Sequence, residues 1–333
     1  MRNCLARIIP VLWLSLSFGL SLNIVKAATL AELVSAYREA PSAVKRAALE
    51  KYAASQPGRG AALARLALGV VSWEQKDYSD AITFLKSVPA ELPLLSDYAG
   101  YYLASAHVEA RDTGGVAQDL LTVRNLERRS PFAGRSWLVE ARSLAPNVAV
   151  QLLLDHYAEL PQPDGDLTLA ETYQNAGDLV NASKVYQRVY SQYVAGDAFH
   201  RSSDALAALK ETMGAAYPSP GPQLLLRHAD RMAETRDYLH ARAEYSALAL
   251  KLLGPEREQA QVRIGVMHYL SNKTAVARAL LKDLNLTKGP ADAERLLCQT
   301  AHDRCLVGRA GLHRSNGRLV RFVRHAGDRD HGL

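Results

Sequence analysis

Cys298, His302 and Cys305 have the types and the short spacing that would put two thiolates and an imidazole on one metal ion. A structural zinc site takes four such ligands. No fourth Cys or His stands at a characteristic distance, so a local disulfide between the two cysteines is the stronger expectation in an exported chain. Acid catalysis asks for a carboxyl group kept protonated near neutral pH in an apolar pocket, often with a second carboxylate several ångström away. Glu140, Glu171 and Glu244 lie in helical stretches flanked by Ala and Leu, the setting of a solvated or capping glutamate. His107, His156, His228 and His268 are scattered at helical positions where a packed or surface imidazole is the default. No Gly-rich phosphate loop, nucleophile elbow or HExxH occurs. The sequence therefore assigns no catalytic, cofactor-binding or metal-binding residue. The side chains left with a chemical reading are tyrosines, fifteen in all, including Tyr98, Tyr101, Tyr102, Tyr186, Tyr190 and Tyr193. Their first reading is interhelix packing with the hydroxyl at the surface; their second is a wall on which sugar rings stack.

The elements that would position them follow a repeated pattern. A small residue is followed by a second small residue twelve positions on, a bulky one at sixteen and an apolar one at nineteen. The sets are Gly69, Ala81, Leu85, Val88; Ala170, Ala182, Tyr186, Val189; Ala229, Ala241, Tyr245, Leu248; and Gly265, Ala277, Leu281, Leu284. Each straddles a polar break such as Lys76-Asp77-Tyr78 or Gly177-Asp178-Leu179. That is a helix, a tight turn and a helix, in which the small residues let two backbones approach and the larger ones fill the face toward the next pair. The expected fold is all-α, a superhelical solenoid of stacked antiparallel helix pairs of the tetratricopeptide kind. Further pairs are expected over 29–57, over 97–125 and over 132–160. The interval from Ala170 to Ala229 is 59 residues, not a multiple of the period, and it contains Ser203–Met213, helical by its Ala and Leu content, and then Pro218, Pro220 and Pro222. A bend or change of pitch is expected there.

The two ends are different. Arg2 and Arg7 precede an apolar run from Ile8 to Leu22, and Val25 and Ala27 stand at the −3 and −1 positions of a cleavage site. Residues 1–27 read as a signal peptide cleaved after Ala27, because the run is shorter than the roughly 20 residues a bilayer span needs. The expectation is an exported, periplasmic chain with no stable membrane span after cleavage. The domain boundaries expected are 28–297 for the helical array and 298–333 for an irregular basic tail, with a translated frameshift as the second reading of that tail. The tail holds seven Arg against three Asp, and no Lys, Glu or Tyr. Of the formal charge of +6, the first 27 residues and the tail supply +3 and +4, leaving −1 for the array. A nucleic-acid-binding core is therefore not expected.

Ser96–His107 (SDYAGYYLASAH), Ser130–Arg142 (SPFAGRSWLVEAR), Leu167–Tyr193 and Arg227–Leu248 together resemble the N-terminal superhelical domain of soluble lytic murein transglycosylases. The Asp-Tyr-Ala-x-Tyr-Tyr-Leu phrase at 97–103 and the Ser-Pro-Phe-Ala-Gly phrase at 130–134 carry the resemblance most narrowly. It implies a periplasmic ring of helical hairpins that restricts which glycan strands reach a lysozyme-like domain, with peptidoglycan and other cell-wall enzymes as partners. The family's glutamate-serine and Gly-Leu-Met-Gln catalytic phrases do not occur in this chain. No catalytic residue carries over. The expected function is a noncatalytic scaffold, with a stand-alone periplasmic adaptor for a protein partner as the alternative.

Overall fold

The computed structural model describes residues 28–55, 58–125 and 129–307, all helix and connection; among them there is no β-strand. The expected signal segment 1–27 and most of the tail lie outside the described residues. Seven antiparallel pairs follow one another: α1 (Leu30–Glu39) with α2 (Ala43–Ser55), α3 (Arg59–Glu74) with α4 (Tyr78–Leu85), and, after a single turn α5 (Val88–Glu91), α6 (Ser96–Glu109) with α7 (Val116–Arg124). Then come α8 (Ala133–Ala141) with α9 (Pro146–Asp155), α10 (Asp164–Asn175) with α11 (Leu179–Gln192), a lone α12 (Asp197–Met213), α13 (Pro222–Glu234) with α14 (Tyr238–Lys251), α15 (Gly254–Leu270) with α16 (Thr274–Lys282), and α17 (Pro290–Val307). Helices pack chiefly on their neighbours in sequence. The buried apolar side chains accordingly form five separate groups in chain order rather than one core. Among the described residues no helix is long and apolar enough to cross a membrane.

One turn is used five times. At the end of α3, α6, α10, α13 and α15 a single residue enters the left-handed region: Lys76, Arg111, Gly177, Arg236 and Asn272, with φ of 64°, 59°, 79°, 67° and 61°. The amide after it reaches back one helical turn, as in Asp77 N–H to Ser72 O at 2.8 Å and Asp178 N–H to Tyr173 O at 2.9 Å. This closes the helix's free carbonyls. Asp77, Asp178 and Asp237 then cap the second helix, their carboxylates accepting from the amides of Asp80, Asn181 and His240. The polar break in the sequence is thus a stop signal and a start signal in adjacent residues. A non-glycine residue in the left-handed region costs about 1–2 kcal/mol, and glycine costs about 0.4–1 kcal/mol of extra chain entropy. Arg236→Gly is expected to stabilise by roughly 0.5 kcal/mol, and an unchanged or lower Tm would contradict this account of the turn.

The small residues of the pattern lie at the helix crossings. Ala81, Ala170, Ala182, Ala229 and Ala241 are fully buried and Ala277 is 2% exposed. A methyl group on Gly69 would overlap the Leu85 side chain, with Cδ2 at 2.7 Å, and one on Gly265 would lie 2.6 Å from Leu281 Cγ. In these two sets the first small residue therefore touches the bulky residue sixteen positions on.

Two boundaries differ from the sequence expectation. α12 begins at Asp197, packs on α11 and touches α10, while α13 packs on α11 as well. The 25 residues of 197–221 stand as an insert; without them the 59-residue interval falls to 34, close to the 35 from Gly69 to Ala104. The broken period is an added helix. The second difference is at residue 297, where the array was expected to end: α17 runs on to Val307, and Cys298 is buried at 1% against the last pair. The buried side of α17 carries Ala291, Glu294 and Cys298. A glutamate at its centre breaks the apolar period that the sequence reading relied on.

Candidate functional site

The two phrases that carry the resemblance meet in space. Asp97 and Ser130 are both buried, and the Ser130 hydroxyl donates to Asp97 Oδ2 at 2.8 Å while accepting from the Phe132 amide at 3.2 Å. This bond ties the start of α6 to the entry of α8. Gly100 lets α7 close on α6: a Cβ there would overlap the Thr122 hydroxyl and lie 2.8 Å from the Asp119 carbonyl oxygen. Gly134 does the same for α8, where a Cβ would overlap the Glu159 carbonyl and lie 3.2 Å from Pro161 Cδ.

Held by those contacts, five rings from α3, α6 and the start of α8 form one half-buried strip. Phe132 stacks on Tyr101 with centroids 4.5 Å apart and 22° between planes. Tyr98 lies 5.6 Å from Phe132 and 4.9 Å from Tyr102, and Trp73 meets Tyr102 edge-on at 5.1 Å. Burial raises the hydroxyl pKa of Tyr101 and Tyr102 above the ordinary phenol value, so both remain neutral donors at physiological pH. Beside the strip is an open groove of about 630 Å³ lined by Arg129, Arg135, Gly134, Glu159 and Pro161. Ring faces next to two guanidinium groups suit a ligand with a saccharide face and a carboxylate.

The remaining tyrosines do other work. Tyr186 is buried, its hydroxyl pushed up to about 12 by burial. Tyr190 packs against both Phe199 at 5.0 Å and His228 at 4.4 Å, which themselves lie 6.0 Å apart, and Tyr193 packs at the edge of the core shared by α10–α12. Trp137 is closed on both faces, by the Arg124 guanidinium 3.4 Å from its ring and by His156 stacked at 3.5 Å.

The candidate acids are structural. Glu140 pairs with Arg124 under Trp137, Glu171 pairs with Arg201 of α12, and Glu244 Oε1 is 3.7 Å from His228 Nε2. His268 lies beside Arg242, and burial followed by that positive charge lowers its pKa. Among the described residues no group of three or more His, Cys, Asp or Glu is placed to hold a metal ion. The side chains of His302 and Cys305 lie outside the described residues. Cys298 and Cys305 share one helix, seven residues or roughly 10 Å apart along it, which is beyond disulfide reach. The expected local disulfide is therefore not compatible with α17, and the buried Cys298 thiol is free, its pKa pushed up to about 12 by burial.

The sequence reading missed Asp119. Burial raises its carboxyl pKa to about 6, against the pull of His107, whose Nε2 is 3.8 Å away; Asp112 holds the other ring nitrogen at 3.1 Å. It has the pKa of a general acid, but it faces the α6/α7 turn and lines none of the described grooves. An acid whose folded pKa is raised binds its proton more tightly folded than unfolded, so its contribution falls as pH rises from about 4 to about 6. Asp119→Asn is expected to stabilise by roughly 1–2 kcal/mol at pH 7.5 and by little at pH 4. Equal effects at both pH values would refute the assignment.

Comparisons of this chain with family models, with curated proteins and with solved structures found no match. What the fold and the site define is an all-helical protein of neighbour-packed pairs carrying one aromatic strip.

Proposed function

We propose that this protein is a noncatalytic helical-repeat scaffold of the periplasm, its pairs stacked into a superhelical solenoid, that binds murein along the strip of Trp73, Tyr98, Tyr101, Tyr102 and Phe132. The observation that carries the reading is the joint between Asp97 and Ser130. Two phrases resembling the ring domain of lytic transglycosylases, 33 residues apart in sequence, build one aromatic surface with a cationic groove beside it. Glycan rings would stack on Tyr101 and Phe132, and stem-peptide carboxylates would meet Arg129 and Arg135.

Co-sedimentation of the full chain with murein sacculi tests it. Wild type is expected to bind, and the pair Tyr101→Ala with Phe132→Ala to bind at least about fivefold more weakly, since aromatic contacts contribute roughly 0.5–1.5 kcal/mol each. Soluble anhydromuropeptides are expected to stay at the blank. No binding by wild type would reject the scaffold; products lost on mutating Asp119 or one Glu would reject its noncatalytic character.

The adaptor reading has its own support. Large apolar side chains left exposed fall repeatedly on the second helix of a pair, among them Leu154 of α9, Val180 of α11, Leu250 of α14 and Leu280 of α16. Surfaces of that kind suit protein partners.

A further inference from the structure

We propose that the slot between α9 and α11 is a docking site for an acidic, leucine-containing peptide segment of a partner protein, separate from the aromatic strip. α9 and α11 both pack on α10 and leave a groove of about 340 Å³ between them, more than twice the ~150 Å³ that takes up a benzene molecule in an apolar cavity. Its floor is Leu169 and Tyr173 of α10; Leu154 stands on one wall and Val185 on the other. Leu154 is 43% exposed, so the apolar floor continues into an apolar rim on the α9 side.

The groove is preorganised. Asp166, buried at 6%, accepts from the Tyr157 hydroxyl at 2.8 Å and from Arg188 at 3.0 and 2.6 Å. That bidentate pair fixes the wall and neutralises Arg188. Asn181 is oriented by Asp178, to which its amide donates at 2.7 Å, leaving its own carbonyl oxygen to accept a peptide N–H. Lys184 is exposed on the same wall, and among the described residues no carboxylate pairs with it. The one uncompensated charge at the rim is positive.

Charge selects the occupant. The chain's own segments outside the described residues are cationic: residues 308–333 hold six Arg against two Asp, and residues 1–27 hold Arg2, Arg7 and Lys26 with no acid. Both are repelled by Lys184. An extended segment from another protein fits instead, with an aliphatic side chain seated over Leu169 between Leu154 and Val185 and a carboxylate one or two residues away on Lys184.

Fluorescence anisotropy with two labelled octapeptides tests the slot on the full chain: Ser-Gly-Glu-Glu-Leu-Leu-Glu-Gly, and the same peptide with Lys for each Glu. The acidic peptide is expected to bind at least tenfold more tightly than the basic one, with affinity falling as salt is raised. Lys184→Glu and Leu154→Gln, both at exposed positions, are each expected to weaken it about tenfold while leaving far-UV circular dichroism and sacculus binding unchanged. Failure of the wild type to bind the acidic peptide, equal affinity for the two peptides, or full affinity in both variants would overturn the proposal. Loss of sacculus binding alongside peptide binding would show that the slot and the aromatic strip are one site, and would overturn it as well.

Discussion

Replacing Arg263 by alanine is expected to destabilise the C-terminal part of the molecule by about 3–5 kcal/mol, the cost of breaking a buried ion pair from one side. Arg263 is 2% exposed in α15. Its Nη1 donates to Asp230 of α13, which also accepts from the hydroxyl of fully buried Tyr245, and its Nε is 3.6 Å from Glu294 of α17. Burial works against the guanidinium charge, but the two carboxylates outweigh it and hold Arg263 charged. Without the arginine, two carboxylates from different helices are left inside with no counter-ion. Burial already raises the Glu294 pKa with Arg263 opposing, so removing Arg263 raises it further. An acid with a raised folded pKa stabilises below its unfolded pKa and loses that contribution as pH rises through the folded one. The deficit of Arg263→Ala is therefore expected to shrink from pH 8 to pH 5. Urea titrations at the two pH values measure it, and a loss under 1 kcal/mol at pH 8 would show that the network is solvated. Replacing all three charged residues by apolar ones of similar size is expected to recover most of the loss.

Gly100→Ala is expected to cost about 2–3 kcal/mol, at the upper end of what overpacking does, because the obstacle is partly backbone. Thr122, whose hydroxyl donates to the Asp119 carbonyl at 2.7 Å and lies 3.2 Å from the Ser96 carbonyl, fills the space a methyl group would need. Thr122→Ala in the same chain clears the hydroxyl but not the Asp119 carbonyl at 2.8 Å, so only part of the loss is expected to return. Displacing α6 also moves Tyr98, Tyr101 and Tyr102, and the near-ultraviolet circular dichroism of the strip is expected to change with stability. An Ala variant as stable as the parent would mean that α6 and α7 do not lie as close as described.

The helix pairs were legible because their logic is local. A small residue at Gly69 facing Leu85, and an aspartate after a left-handed residue at 77, 178 and 237, need only the chain within twenty positions. The helix α12 was legible in part: Ser203–Met213 reads as helical from its Ala and Leu content, and α12 ends at Met213 as that reading has it but begins six residues earlier, at Asp197. That it is an insert showed only as a wrong interval. Asp119 and the Arg263 network were not legible, because their chemistry arises from helices closing over charges. Nothing local in the sequence marks Glu294 for burial; its partner is an arginine 31 positions away. The strip was half legible: Tyr98, Tyr101 and Tyr102 stood out, but Trp73 joins them through the packing of α3 on α6 and Phe132 through the Asp97–Ser130 bond.

The interior comes as five groups in series, the fourth built from residues between Trp137 and Tyr217 and the fifth from residues between Leu225 and Cys298. A chain assembled in this way has no single act of melting. Each segment answers for its own cooperativity and borrows from its neighbours only across their shared face. A two-state fit to the whole molecule would then average several transitions and return a slope too shallow for its size. The Pro218–Pro222 stretch between the last two groups is where one transition can stop before the next begins. Damage on either side would be tolerated as partial unfolding, with the other side still folded.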